Sequence, residues 1–313
     1  MKLPSLTSTL LMSLLLSSHA EPARAVITMV GDGSKEVYIN AASDKGLAYL
    51  ETPSSTSPVQ IARSKVDSIF FYRPSTFHNG LEAYNDGKFS VAAAAFEECK
   101  KTYDKIKKLP QNYGTLAAFY ELECARRERR FDDLDKLLNA FRPDALVNEN
   151  QLAQLQIYPF WQAYAKKDWK RLNKMITQWG DKKLPGYQRA QVAFCYGMAL
   201  KETGEVQAAK DQFNKVLVLS EYKEMELVID AGEQLIELTL SDQKIQDCLA
   251  SQGKSDADTT SFAYLKLLEA ASIARFWDTC ESGKAFPSKY KKLLSIKRPA
   301  PVAAPEPAAS EEE

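Results

Sequence analysis

Gly80-Leu-Glu-Ala-Tyr-Asn-Asp-Gly87-Lys-Phe89-Ser-Val-Ala92-Ala-Ala-Ala-Phe96-Glu-Glu-Cys99 shares one frame with Gly197-Met-Ala-Leu-Lys-Glu-Thr-Gly204-Glu-Val206-Gln-Ala-Ala209-Lys-Asp-Gln-Phe213-Asn-Lys-Val216. Gly80 and Gly197 leave room where two helices cross. Gly87 and Gly204 make the turn, because glycine accepts a positive φ at no steric cost. Ala92 and Phe96, like Ala209 and Phe213, lie one helical turn apart and so share a face. Each stretch therefore predicts a helical hairpin. Two degenerate copies of the frame lie between them. One holds Leu122, Ala125, Phe131, Leu134, Leu138 and Phe141. The other holds Phe160, Ala163, Trp169, Leu172, Ile176 and Trp179. Both lack the crossing glycine and the turn glycine.

This frame resembles the tetratricopeptide repeat family, clearly over about residues 74–221 and weakly over 222–295. The copies start at Gly80, Leu122, Phe160 and Gly197. That spacing is longer than the family's roughly 34 residues, so the helices or their connections are longer than usual. The resemblance implies a mostly α chain, a right-handed α-solenoid of helical hairpins. Stacked pairs rotate slightly on one another and leave a concave groove. In the family, groove-facing positions lie one and four residues after the crossing site. Carried over, these are Leu81 and Tyr84, Glu123 and Arg126, Trp161 and Tyr164, and Met198 and Lys201. Aromatic residues and Arg are enriched at interface hot spots. The set therefore points to a peptide-binding surface.

Outward from the repeats, residues 26–73 read as strands. Val26–Val30, Val37–Ile39, Leu47–Leu50, Val59–Ile61 and Ser68–Tyr72 are short, β-branched or aromatic runs separated by turn residues. Five strands in so short a stretch predict a small SH3-like barrel or curled sheet that packs on the helices after it. Gly31-Asp32-Gly33-Ser34 reads as a hairpin turn, since it lacks the residues that a phosphate or calcium loop needs.

Residues 1–25 read as an export signal: Lys2, the apolar run Leu10–Leu16, then Ser18-His19-Ala20 and Ala23-Arg24-Ala25 as small-residue cleavage sites. The mature chain would begin at Glu21 or Val26, in the periplasm or outside the cell, and no later segment is expected to span a membrane. Residues 222–298 read as further helical pairs or a cap. Residues 299–313 are rich in Pro, Ala and Glu, a composition that does not fold by itself.

Composition narrows the chemistry. The chain has 313 residues, with 41 Lys+Arg against 41 Asp+Glu and only two histidines, His19 and His78. A neutral chain lacks the basic footprint of a nucleic-acid binder. One mature histidine leaves little for His-based metal or triad chemistry. No phosphate-loop, dinucleotide, zinc-protease or serine-hydrolase motif occurs, so no cofactor, metal site or catalytic residue is expected. Cys99, Cys124, Cys195, Cys248 and Cys280 are an odd set without a C-x-x-C. They read as buried free thiols, with Cys99–Cys124 and Cys248–Cys280 as the pairs to test. Lys284, Lys289, Lys291, Lys292, Lys297 and Arg298 form a basic C-terminal stretch, a candidate contact with the envelope. The expectation is an exported, non-enzymatic scaffold that binds a protein or peptide segment in bacterial envelope assembly or complex formation. The alternatives are a hydrolase of an envelope polymer and a structural envelope or matrix component.

Overall fold

The computed structural model describes residues 22–179, 183–220, 223–254, 259–280 and 284–298. Residues 1–21 of the expected export signal and the Pro/Ala/Glu segment after Arg298 lie outside the described residues. The chain is mostly helical, with a small antiparallel sheet first, and it divides into two compact units, Met1–Val147 and Asn148–Glu313. The division falls inside the stretch that the repeat frame treats as continuous.

In the first unit, β1 (Ala23–Met29), β2 (Ser34–Ala42), β3 (Gly46–Leu50), β4 (Val59–Ala62) and β5 (Val66–Phe71) form one sheet in the order β4-β3-β2-β1-β5. Gly31 and Gly33 both have positive φ, so Gly31-Asp32-Gly33-Ser34 is the β1–β2 hairpin turn. β1 begins before the expected start at Val26. Ala23, Ala25 and Ile27 point inward by the two-residue period of a strand, and all three are buried. With Val37, Ile39, Leu47 and Phe71 they share one core with helical residues Phe77, Ala92, Phe96 and Tyr103. The sheet thus borrows the apolar surface that so few residues lack by themselves.

The helices of this unit are α1 (Ser75–Asn85), α2 (Phe89–Tyr103), α3 (Tyr113–Arg127) and α4 (Phe131–Ala140). The second unit holds α5 (Glu149–Leu155), α6 (Tyr158–Ala165), α7 (Trp169–Trp179), α8 (Gly186–Glu202), α9 (Val206–Leu219), α10 (Met225–Leu240), α11 (Gln243–Ser251), α12 (Phe262–Thr279) and α13 (Lys291–Leu294). The four copies of the frame are α1/α2, α3/α4, α6/α7 and α8/α9. Their extra length lies between hairpins, where 3₁₀ turns at Asp104–Ile106 and Pro143–Ala145 and the short helix α5 intervene. α5 has no counterpart in the frame.

The turn inside each hairpin is the same. The residue two before the second helix has a left-handed backbone: Gly87 (φ 73°), Arg129 (59°), Lys167 (53°) and Gly204 (85°). The next N–H reaches back to the last turn of the first helix in every case: Lys88 to Ala83, Arg130 to Ala125, Asp168 to Ala163 and Glu205 to Leu200, at 2.8–2.9 Å. These bonds satisfy carbonyls that a helix end leaves open. The middle copies keep this geometry without glycine. A left-handed L-residue carries about 1–2 kcal/mol of strain, of which glycine recovers part after its larger chain-entropy loss. Lys167 is exposed, so Lys167→Gly is expected to stabilise the protein by about 0.5–1 kcal/mol in urea unfolding. A variant no more stable than the parent would mean that the lysine side chain offsets its backbone.

The crossing glycines behave alike. A Cβ built on Gly80 would lie 2.7 Å from the Phe96 ring, and one on Gly197 would lie 2.7 Å from the Phe213 ring. In the third copy Phe160 meets Trp179 edge to face, with ring centroids 4.9 Å apart.

The last helices pack around Ile236, Leu267, Ala271 and Trp277. The Tyr264 hydroxyl donates to the Lys297 carbonyl at 2.6 Å. The Arg275 guanidinium donates to the Ile296 carbonyl at 2.7 Å. The expected basic helix is the single turn α13. Lys284 pairs with Asp230 and Glu233 at 3.0 and 2.7 Å, and Lys289 pairs with Glu237 at 3.1 Å. Two of the six cations assigned to envelope contact therefore neutralise α10. Among the described residues, no helix is long and apolar enough to cross a membrane.

Candidate functional site

The eight groove positions divide between the units. In the first unit, Leu81 and Tyr84 are half-buried on α1. Tyr84 packs edge to face on Phe89 and Tyr120, and the Arg127 guanidinium lies 5.2 Å from its ring. Glu123 and Arg126 lie one turn apart on α3 and meet as a fork. Arg126 Nε donates to Glu123 Oε1 at 3.0 Å, and its Nη2 donates to Oε2 at 2.8 Å. Arg126 is only 1% exposed and Glu123 6%. Burial of such a pair leaves little charge to present to a ligand.

In the second unit, Trp161 on α6 is fully buried. Its indole N–H donates to Gln191 Oε1 at 3.0 Å, and its ring stacks on Phe194. Tyr164 remains half-buried, against Trp161, Trp169 and Phe194. Met198 is half-buried on α8. Lys201 donates to Gln234 and, at 3.0 Å, to Glu237. The expectation that Trp161 and Arg126 are surface anchors is corrected: both are core residues. Trp161 can be buried because Gln191 on α8 accepts its N–H, and Arg126 because Glu123 on its own helix pairs with it.

The frame does not register a buried polar cluster around Trp161. Gln191 also accepts from Gln154 at 2.9 Å and donates to Glu224 at 3.1 Å, and all of these side chains are almost wholly buried. The sequence signal for it is Gln188 and Gln191 on the inward face of the apolar helix α8.

Chemistry-bearing residues are scattered. Among the described residues no three His, Cys, Asp or Glu side chains gather as a metal site. His78 is exposed on α1, 3.4 Å from Glu82. All five cysteines are free thiols. Burial pushes the Cys99 and Cys124 thiols up to about 12, so neither supplies thiolate near neutral pH. A small pocket of about 200 Å³ in the first unit is lined by Tyr103, Leu137, Phe141 and Arg142 and by the Lys100–Glu121 pair. Burial raises the Glu121 carboxyl above the ordinary carboxylate range in spite of Lys100.

A wider concavity lies in the second unit. A cleft of about 1010 Å³ opens between α7, α8 and α9, with Ile176, Leu184 and Leu219 among its apolar walls. None of the eight groove positions lines it. No family model, no curated protein and no solved structure matches this chain.

Proposed function

We propose that this chain is an exported scaffold that binds a protein or peptide segment, with the sheet as an SH3-like module and the hairpins as tetratricopeptide-like repeats of a right-handed α-solenoid. The observation that carries this reading is the recurrence of one turn at Gly87, Arg129, Lys167 and Gly204. A turn kept where its glycine is absent supports four copies of one unit. Repeats of this kind hold ligands on surfaces, without catalytic groups. The scattered titratable residues fit that use. Its place is the periplasm or the extracellular space, in envelope assembly or complex formation. Cleavage after Ala20 leaves β1 whole. A start at Val26 would remove the buried Ala23 and Ala25 and the Arg24–Glu36 pair at 2.7 Å, which favours Glu21 over Val26 as the mature N-terminus in this reading.

The accessible part of the groove set is Leu81, Tyr84, Tyr164 and Met198. The test is site-specific photo-crosslinking in the source cells. A photoreactive residue at Met198 is expected to give one discrete protein adduct. The same residue at exposed Leu265 on α12 is expected to give none. No adduct at Met198, or the same adducts at both positions, rejects the groove.

A further inference from the structure

The described lining of the α7–α8–α9 cleft combines aromatic and cationic side chains. Half-buried Trp179, Val192 and Tyr196 form part of its wall, and exposed Lys183, Arg189 and Lys215 stand around it. Among the described residues no carboxylate belongs to the lining. Among the described residues, Lys183 and Arg189 have no ion-pair partner, and Lys215 reaches only the Gln212 amide at 3.5 Å. Some other cations of the same unit are neutralised, Lys201 by Glu237 and Lys284 by Asp230 and Glu233. Helix α7 adds Lys170, Arg171 and Lys174 and contains no acid. Like charges around a partly apolar cleft favour an occupant that brings acids and apolar surface together.

The chain contains such a segment. Residues 299–313 carry Pro299, Pro301, Pro305 and Pro307, with Val302 and alanines between them, and then Glu306, Glu311, Glu312 and Glu313. Proline-rich segments are already restricted to an extended helix, lose little entropy on docking, and seat in aromatic-lined grooves. The segment follows Arg298, and the chain just before it is tied to α12 through the Ile296 and Lys297 carbonyls. At ~3.1 Å per residue it extends about 45 Å. A compact body of roughly 150 residues has a radius of gyration of ~15 Å, or about 40 Å across. A tether of that length keeps the segment at an effective concentration near millimolar, so weak contacts suffice.

We propose that residues 299–313 of this chain seat in the α7–α8–α9 cleft, their prolines against Trp179 and Tyr196 and their glutamates on Lys183, Arg189 and Lys215. The proposal does not rest on the groove reading, because it uses none of the groove residues. An acidic segment of another protein would compete for the same cations.

The probe is a labelled synthetic peptide of residues 299–313, read by fluorescence anisotropy. The proteins are the full chain, the full chain with E306Q, E311Q, E312Q and E313Q, and the latter with K183E and K215E added. Melting curves check that all three are folded. The neutral-tail chain is expected to bind the peptide at least tenfold more tightly than the native chain, whose own segment competes. Charge reversal in the cleft is expected to cost at least tenfold, as is raising salt from 20 to about 300 mM. Equal binding by native and neutral-tail chains overturns the proposal. So does undiminished binding after charge reversal, equal binding of a scrambled peptide, or no binding at all.

Discussion

Trp161→Ala is expected to destabilise the second unit by about 3–5 kcal/mol, the usual cost of removing a buried aromatic side chain. The indole is fully buried, stacked on Phe194 and set edge to face against Tyr164. Truncation opens a cavity that the helices flanking it cannot close without moving the Gln154–Gln191–Glu224 cluster. For a unit of this size each kcal/mol shifts the midpoint by roughly 2–4 °C, so a fall on the order of 10 °C is expected in thermal unfolding. Trp161→Phe separates the two contributions. It keeps a six-membered ring but loses the N–H together with part of the five-membered ring, while Gln191 Oε1 still accepts from Gln154. That variant should lose about 1–2 kcal/mol. A Trp161→Ala chain that melts with the parent but fails to bind a partner would restore Trp161 as a surface anchor.

Gly197→Leu is expected to be of similar size, through the opposite fault. The first added carbon already meets the Phe213 ring at 2.7 Å. Phe213 is fully buried and touches Phe194, so its ring has nowhere to swing. Overpacking by a few carbons costs ~1–3 kcal/mol, and a whole isobutyl group belongs at or above the upper end. Gly197→Ala should cost about 1–2 kcal/mol, and Phe213→Leu in that background should recover part of the loss. A double-mutant cycle measures this coupling directly. Additive effects of Gly197→Ala and Phe213→Leu, or a Gly197→Leu chain as stable as the parent, would mean that α8 and α9 do not cross at Gly197. The same close approach at Gly80 and Phe96 predicts parallel behaviour in the first unit.

Local pattern made much of the architecture legible. The β-branched run Val37–Ile39, and the Ala-Phe spacing of α2 and α9, depend only on neighbouring residues, whereas Ala23 and Ala25 read as a cleavage site and only the sheet shows them as the buried start of β1. The turn glycines Gly87 and Gly204 are readable because a positive φ selects glycine. Arg129 and Lys167 hold the same conformation, and nothing in their residue type announces it. There the backbone bonds of Arg130 and Asp168, held by two packed helices, override the local preference. α5 carries no such signal, because seven residues are too few for a helical period to stand out.

What the sequence by itself determined is therefore local: strands, hairpins and the shared frame of the turns. Tertiary structure alone decided which side of a first helix meets solvent. Trp161 and Arg126 occupy the same frame positions as accessible Met198 and Tyr84, yet both are buried, Trp161 against Phe194 and Gln191 and Arg126 in its fork with Glu123. Lys284 and Lys289 read as a free basic face until α10 sets Asp230, Glu233 and Glu237 beside them, across some fifty residues of chain. Burial and charge pairing are sums over neighbours distant in sequence. A period of 3.6 residues says which residues share a face, and only packing says what that face touches.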